Sequence, residues 1–316
     1  KKNYFIKSIP TLKNIEKVFQ LSEKLLRSNI QHVFLKGISL YDQNEIYMRP
    51  MRDIDILVNP IDIPKVIGIA NSLNFNFRNI KIDLSDNYIK NSSLYDLPLM
   101  EDNNGVFLEI HFRITTDTEK CFLLEALFEK KRLIKVHNNE VCVPCFDSLF
   151  THLVFHSSKK GYFDVGLMAL VDLIQIFDKV DRNEVLKISK NIELQEMTEL
   201  FIELIESNKI KNLTLNDKVE KLKEVLIFPA LNSKITEIFI QESFLDMFRK
   251  FKDILFVSKY DLQKEFGTNG SSAGSFYLLR RWTRQINKFF LQILFVFKNL
   301  ILVVKRAKII NDLIKK

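Results

Sequence analysis

Apolar positions change their period along this chain, and the changes divide it. Over residues 11–28, Leu12, Ile15, Phe19, Leu25 and Leu26 recur at near-helical spacing, which predicts an amphipathic helix. His32-Val33-Phe34-Leu35 is a short continuous apolar run and predicts a buried strand, closed by a turn at Gly37. Ser39 to Ile46 predicts a short helix, and Pro50 stops helix from continuing into the next run. Asp53–Val58 predicts a second strand, and Ile63 to Leu73, entered through Pro60 and Asp62, a second helix. Leu94–Met100 and Val106–Phe112 flank Asp102-Asn103-Asn104-Gly105, a strong hairpin signal. In the second arm Val106, Leu108, Ile110 and Phe112 fall on one side, and Phe107, Glu109, His111 and Arg113 on the other.

Beyond residue 119 the period becomes helical. Helices are expected over 119–131, 146–158, 164–179, 182–190, 193–207, 215–226 and 231–257, with a small hairpin over Val136–Val143 turning at Asn138-Asn139. Gly267 to Ser275 contains three of the eight glycines and reads as a flexible linker. The expected organisation is a mixed-sheet α/β domain over 1–118, a helical domain over 119–266, a linker over 267–275 and a basic amphipathic tail over 276–316.

Charge sharpens that division. The net charge is +8, yet residues 276–316 hold ten Lys/Arg and the single acid Asp312, leaving 37 basic and 38 acidic groups in residues 1–275. A near-neutral body argues against a nucleic-acid-binding surface. In the tail, Arg280, Arg281, Trp282, Arg284 and Lys288 precede an apolar run from Phe289 to Val304, about 16 residues and short of the ~20 that span a bilayer. Two readings fit it: an interfacial helix on anionic lipid, or a helix docked on protein. With 47% apolar residues the chain is globular, and 27 Phe alongside abundant Lys, Asn and Ile reflects nucleotide-composition bias. Three cysteines, Cys121, Cys142 and Cys145, form no secreted disulfide framework, and no signal peptide opens the chain at Lys1, so a cytoplasmic setting is expected.

The candidate chemistry lies in one stretch. Asp53 and Asp55 interrupt an apolar strand, and strands are depleted in Asp. Two residues apart on a strand, they project to one face, where mutual repulsion calls for a cation. Hard oxygen ligands suit Mg²⁺, with Mn²⁺ as a substitute, shared with substrate phosphates. Arg49, Arg52 and Lys36 stand upstream to take phosphate charge, although Arg49 and Arg52 could equally pair with Asp42, Glu45 or the Asp strand. Gly37 would let backbone approach a triphosphate, where the bland alternative is an ordinary loop glycine. His152 and His156, four apart, with Cys142 and Cys145 offer a weaker zinc set, because the six residues between Cys145 and His152 are too few for the usual finger. Asp172, set in an otherwise apolar helix, needs a partner.

The string FLKGISL…YMRPMRDIDILV, followed by FLEIHFR, is similar to the uncharacterised bacterial nucleotidyltransferases of the DNA polymerase β-like superfamily. The resemblance spans roughly residues 10–180, with its motifs inside 34–113. It implies an NTP donor, metal ligation and catalysis by Asp53, Asp55 and Glu109, and phosphate contacts from Lys36, Gly37, Ser39, Arg49 and Arg52. Here Ile38 follows the glycine where the superfamily has Gly or Ser, with Ser39 one place later. The implied reaction moves an NMP to an acceptor hydroxyl or phosphate of a small molecule or glycan-pathway intermediate. The alternatives are a catalytically inactive, membrane-associated binding protein on the same fold, or a toxin-type enzyme modifying protein or tRNA.

Overall fold

A computed structural model describes residues 2–41, 51–77, 95–114, 122–136, 139–160, 163, 167–209, 217–227, 305, 307–310 and 312–313. The expected linker, the helix over 231–257, most of the tail including its apolar run, and Arg49 lie outside them. The chain divides into two compact units, one built on Lys1–Leu149 and the other on Phe150–Lys259 with Gly270–Lys316.

The first unit opens with α1 (Lys2–Arg27), which starts earlier than its apolar period predicts. Ile15, Val18, Leu21 and Leu25 form its buried stripe. It ends where Asn29 takes a left-handed φ of 53°, and the amides of Asn29 and Ile30 donate to the carbonyls of Leu26 and Leu25. These bonds satisfy carbonyls the helix would otherwise leave open. The chain then enters β1 (His32–Leu35), a 3₁₀ turn (Gly37–Leu40), β2 (Ile54–Val58) and α2 (Ile63–Ser72). Only this single turn of the helix expected from Ser39 falls within the described residues. In α2, Ile63, Val66, Ile67 and Ala70 form the buried stripe.

Three further strands, β3 (Asn76–Phe77), β4 (Met100–Glu101) and β5 (Phe107–His111), complete a mixed sheet of order β1-β2-β5-β4-β3. Here β2 is antiparallel to β1 and parallel to β5, with Leu35 opposite Asp55 and Asp55 opposite Glu109. Paired residues point to the same face. Ile54, Ile56, Val58, Leu108 and Ile110 therefore turn to the core formed with α1 and α2. Asp55, Glu109 and His111 turn the other way. The β4–β5 turn is closed by Asp102, whose Oδ1 accepts from the amides of Asn104 (2.8 Å) and Val106 (2.9 Å), with Gly105 at φ 76°. Lys17 on α1 pairs with its other oxygen at 3.2 Å.

The helix α3 (Phe122–Glu129) leads to a hairpin of β6 (Lys131–Val136) and β7 (Asn139–Pro144). The Ser22 hydroxyl donates to Glu140 O (2.7 Å) and ties the hairpin to α1. In the second unit, α4 (Phe146–Phe155), which begins at the end of the first, continues as a π turn over His156–Lys160. After it come α5 (Leu167–Ile176), α6 (Arg182–Lys190), α7 (Gln195–Lys209) and α8 (Asp217–Ile227). Phe163 stacks on Phe201 at 6.5 Å, and Leu173, Leu204, Leu222 and Val225 are buried. Asp172 is buried on α5. Near the C-terminus Ala307, Ile309, Ile310 and Leu313 are also buried, Asp312 pairs with Lys221 of α8 at 3.4 Å, and Lys305 pairs with Glu224. This end of the tail docks on protein. The interfacial reading of 289–304 lies outside the described residues. Among the described residues no helix is long and apolar enough to cross a membrane.

Candidate active site

The carboxylates meet because two parallel strands are in register. Asp55 on β2 stands directly opposite Glu109 on β5, and His111 follows two residues later on the same face. Two oxygens, one from each of Asp55 and Glu109, and a ring nitrogen of His111 all lie within 4.8 Å of one another. Among the described residues this is the group of three that could share a metal ion. The donor set, two carboxylates and an imidazole, fits a divalent cation.

Asp55 is the anchor, 4% exposed. Its Oδ1 accepts from Lys36 Nζ at 2.8 Å and from His111 Nε2 at 2.9 Å, so the proton of this tautomer sits on Nε2. Burial pushes the Asp55 carboxyl up, but the Lys36 charge and the His111 hydrogen bond outweigh it and hold the group well below the usual carboxylate range. Burial would lower the Lys36 ammonium, yet the charge and hydrogen bond of Asp55, then the charges of Glu109 and Asp53, raise it. Glu109 moves upward, through burial and then the charge of Asp55. Its Oε2 stands 3.6 Å from His111 Nε2.

Asp53 is half-buried just before β2 instead of on it. The ladder explains this: β2 pairs with β1 from Asp55 onward and with β5 from Ile54 onward, so Asp53 lies just outside both registers. Its charge nevertheless acts on Lys36.

The turn carrying Lys36 is tightly specified. Lys36 has φ 49°, a left-handed conformation that non-glycine residues rarely adopt. Its carbonyl accepts from the Ser39 amide at 2.6 Å and from the Ser39 hydroxyl, so buried Ser39 closes the turn from within. Gly37 is buried, and a Cβ there would lie 2.8 Å from Met51 Sδ and 2.9 Å from Met51 Cγ. The missing side chain thus makes room for Met51. Met51 is held in turn by Asn14 Nδ2 donating to its carbonyl (2.7 Å) and by its amide donating to Thr11 Oγ1 (3.2 Å). Arg52, next in sequence, is exposed.

Two contributors carried no motif signal. Tyr95 stacks on His111 with ring centroids 6.5 Å apart and planes 13° apart, and Asp96 bridges His111 through the backbone. Burial and the charges of Asp96 and Glu109 push the Tyr95 phenol up to about 12, so it stays protonated at neutral pH. Arg132 on β6 donates to Ser39 O (2.6 Å) and Pro144 O (3.0 Å) while its guanidinium lies 3.7 Å over the Phe146 ring, fastening the hairpin to the Lys36 turn.

Residues 11–208 match the model of a family described as uncharacterised nucleotidyltransferase. The crystal structure of an antigenic nucleotidyltransferase-like protein from Paracoccidioides brasiliensis is similar over 58% of this chain and 91% of that one, at 11% identity and a TM-score of 0.37. Comparison with curated proteins gave no match. The matched stretch covers well over half the chain and contains the whole Lys36–Asp55–Glu109–His111 group, and the chain belongs to this family of nucleotidyltransferases.

Proposed function

We propose that this chain transfers a nucleoside monophosphate from an NTP to an acceptor hydroxyl or phosphate and releases pyrophosphate. The observation that carries the reading is Asp55 opposite Glu109 in parallel register, with a cationic group already bonded to Asp55. Asp55 and Glu109, with Asp53 alongside, would hold a divalent cation, Mg²⁺ or Mn²⁺, which when bound neutralises phosphate charge and lowers the pKa of the acceptor hydroxyl. Asp55 stays ionised and fixed. Glu109 differs in a useful way: its side chain is 32% exposed against 3% for Asp55, and its pKa is raised. A more basic and more accessible carboxylate supports Glu109 as the group that would take the acceptor's proton. Where Glu109 serves as base instead of binding a second metal ion, the acceptor oxygen attacks the α-phosphorus and gives its proton to Glu109. The bridging bond between α-phosphorus and oxygen breaks, and its electron pair leaves with pyrophosphate. Lys36, with Arg52 and Arg49, would meet the phosphate charge. The near-neutral body favours a small-molecule or glycan-type acceptor over tRNA.

The test is a thermal-shift panel of ATP, GTP, CTP and UTP, each with and without Mg²⁺, on wild type and Asp55→Asn, paired with pyrophosphate release. Ligand at about 100 times its Kd adds roughly 2.7 kcal/mol of stability. A metal-dependent shift for one NTP, absent in the variant along with turnover, is expected. Undiminished pyrophosphate release by Asp55→Asn would refute the assignment.

A further inference from the structure

We propose that Lys36 is a resident cation of this site, so that a divalent metal ion enters together with nucleotide polyphosphate and binds poorly before it. This rests on the metal-site reading above and adds an order of binding to it. The Lys36 ammonium lies 2.8 Å from Asp55 Oδ1, and the charges of Glu109 and Asp53 also act on it. It thus supplies positive charge to the carboxylates that a metal would use. A metal ion reaching Asp55 would meet Nζ as a neighbouring like charge, and either the ammonium or the metal must yield.

The local backbone makes this arrangement specific. The left-handed φ of Lys36 and the Ser39 bonds to its carbonyl fix the turn, while only the flexible four-carbon stem decides where Nζ points. The Lys36 side chain is 19% exposed and that of Asp55 3%, so the lysine is the more accessible member of the pair and its stem can swing while the carboxylate stays in place. An arriving polyphosphate offers it a new anionic partner. Lys36 then moves from carboxylate to phosphate, and the vacated charge is taken up by the metal that came with the nucleotide. In thermodynamic terms metal and nucleotide are coupled through the lysine, and each tightens the other by the same factor.

Binding of Mn²⁺ alone, read by electron paramagnetic resonance on the full chain, tests this without any turnover. Wild type, Lys36→Met and Lys36→Gln are compared, each with and without non-hydrolysable analogues of the four NTPs. The Gln variant keeps an N–H donor for Asp55 without the charge, which guards against a folding defect in the Met variant. Both variants are expected to bind Mn²⁺ alone at least tenfold more tightly than wild type, and the tightening on adding analogue should be smaller in them. If wild type binds Mn²⁺ with an analogue but neither variant gains affinity for Mn²⁺ alone, the resident-cation proposal is overturned and the metal site stands. If no protein binds Mn²⁺ under any condition, the metal-site reading itself falls and takes this proposal with it.

Discussion

Replacing Gly37 by Ala would test why the turn beside Asp55 contains a glycine. A Cβ built there meets Met51 at 2.8 and 2.9 Å, well inside the 3.5–4.0 Å at which carbon atoms pack comfortably. Met51 is 3% exposed, so its flexible side chain can yield only by repacking within the core, while its backbone is held by Thr11 and Asn14. Overpacking of this kind costs about 1–3 kcal/mol. The lost unfolded-state freedom of glycine returns about 0.4–1 kcal/mol. Taken at the middle of both ranges the steric cost wins, and a net loss of about 1.3 kcal/mol is expected. Met51→Ala alone should cost about 2–5 kcal/mol by leaving a cavity. In the double variant the new methyl occupies part of that cavity, so the combined loss should fall short of the sum by about 1–2 kcal/mol. Hydrogen exchange of peptides covering β1 and β2 reads this unit separately from the helical one. Strictly additive losses, or a Gly37→Ala protein as protected as wild type, would refute the packing explanation and return Gly37 to a role in ligand approach.

Two further predictions concern stability and pH. Asp102→Ala removes the acceptor of two turn amides and the partner of Lys17, and should cost about 2–3 kcal/mol, read as lost exchange protection in the β4–β5 turn. The native Asp102 pKa is lowered by the Val106 and Asn104 amides and by Lys17 against the opposing effect of burial, so its contribution is complete above about pH 4 and disappears as pH falls through the lowered native value. His32 bears on a different pH range, set by the ordinary imidazole value of the unfolded chain. Burial and then the Lys131 charge lower its pKa, opposing the hydrogen bond with Ile30 O, so the unfolded chain takes up the proton first on acidification. Stability should therefore decline from about pH 6.5 downward until the native ring also titrates, and His32→Gln should flatten the melting-temperature profile between pH 7.5 and 5.5. An unchanged slope would show that other groups govern it.

Much of this site was legible because strand periodicity is a short-range property. The alternation from Val106 to Arg113 placed Glu109 and His111 on one face, and the same count separated Asp55 from Ile54 and Ile56. The Asn-Asn-Gly turn announced the β4–β5 hairpin, where Asp102 proved to be the residue closing it. What stayed hidden depends on partners distant in sequence. The start of β2 is set by where β1 and β5 offer ladder partners, and that shift of one residue leaves Asp53 at the mouth of the strand. Tyr95 reaches His111 only because the backbone of its segment pairs with the end of β5: Tyr95 O accepts from the Phe112 amide at 2.9 Å. Arg132 reaches Ser39 across 93 positions.

Lys36 shows why residue type alone cannot assign a role. A lysine beside a glycine turn and upstream of two aspartates has both phosphate and carboxylate as plausible partners, and its compact charge and flexible stem suit either. The antiparallel pairing settles which one it meets in the described structure. Leu35 stands opposite Asp55, so the next residue leaves β1 beside that carboxylate, and the left-handed turn at Lys36 begins there. A phosphate can compete for the ammonium only by arriving at the same place. On the proposed order of binding the two partners would be successive stations of one side chain, with Lys36 paired to Asp55 until a phosphate takes its place.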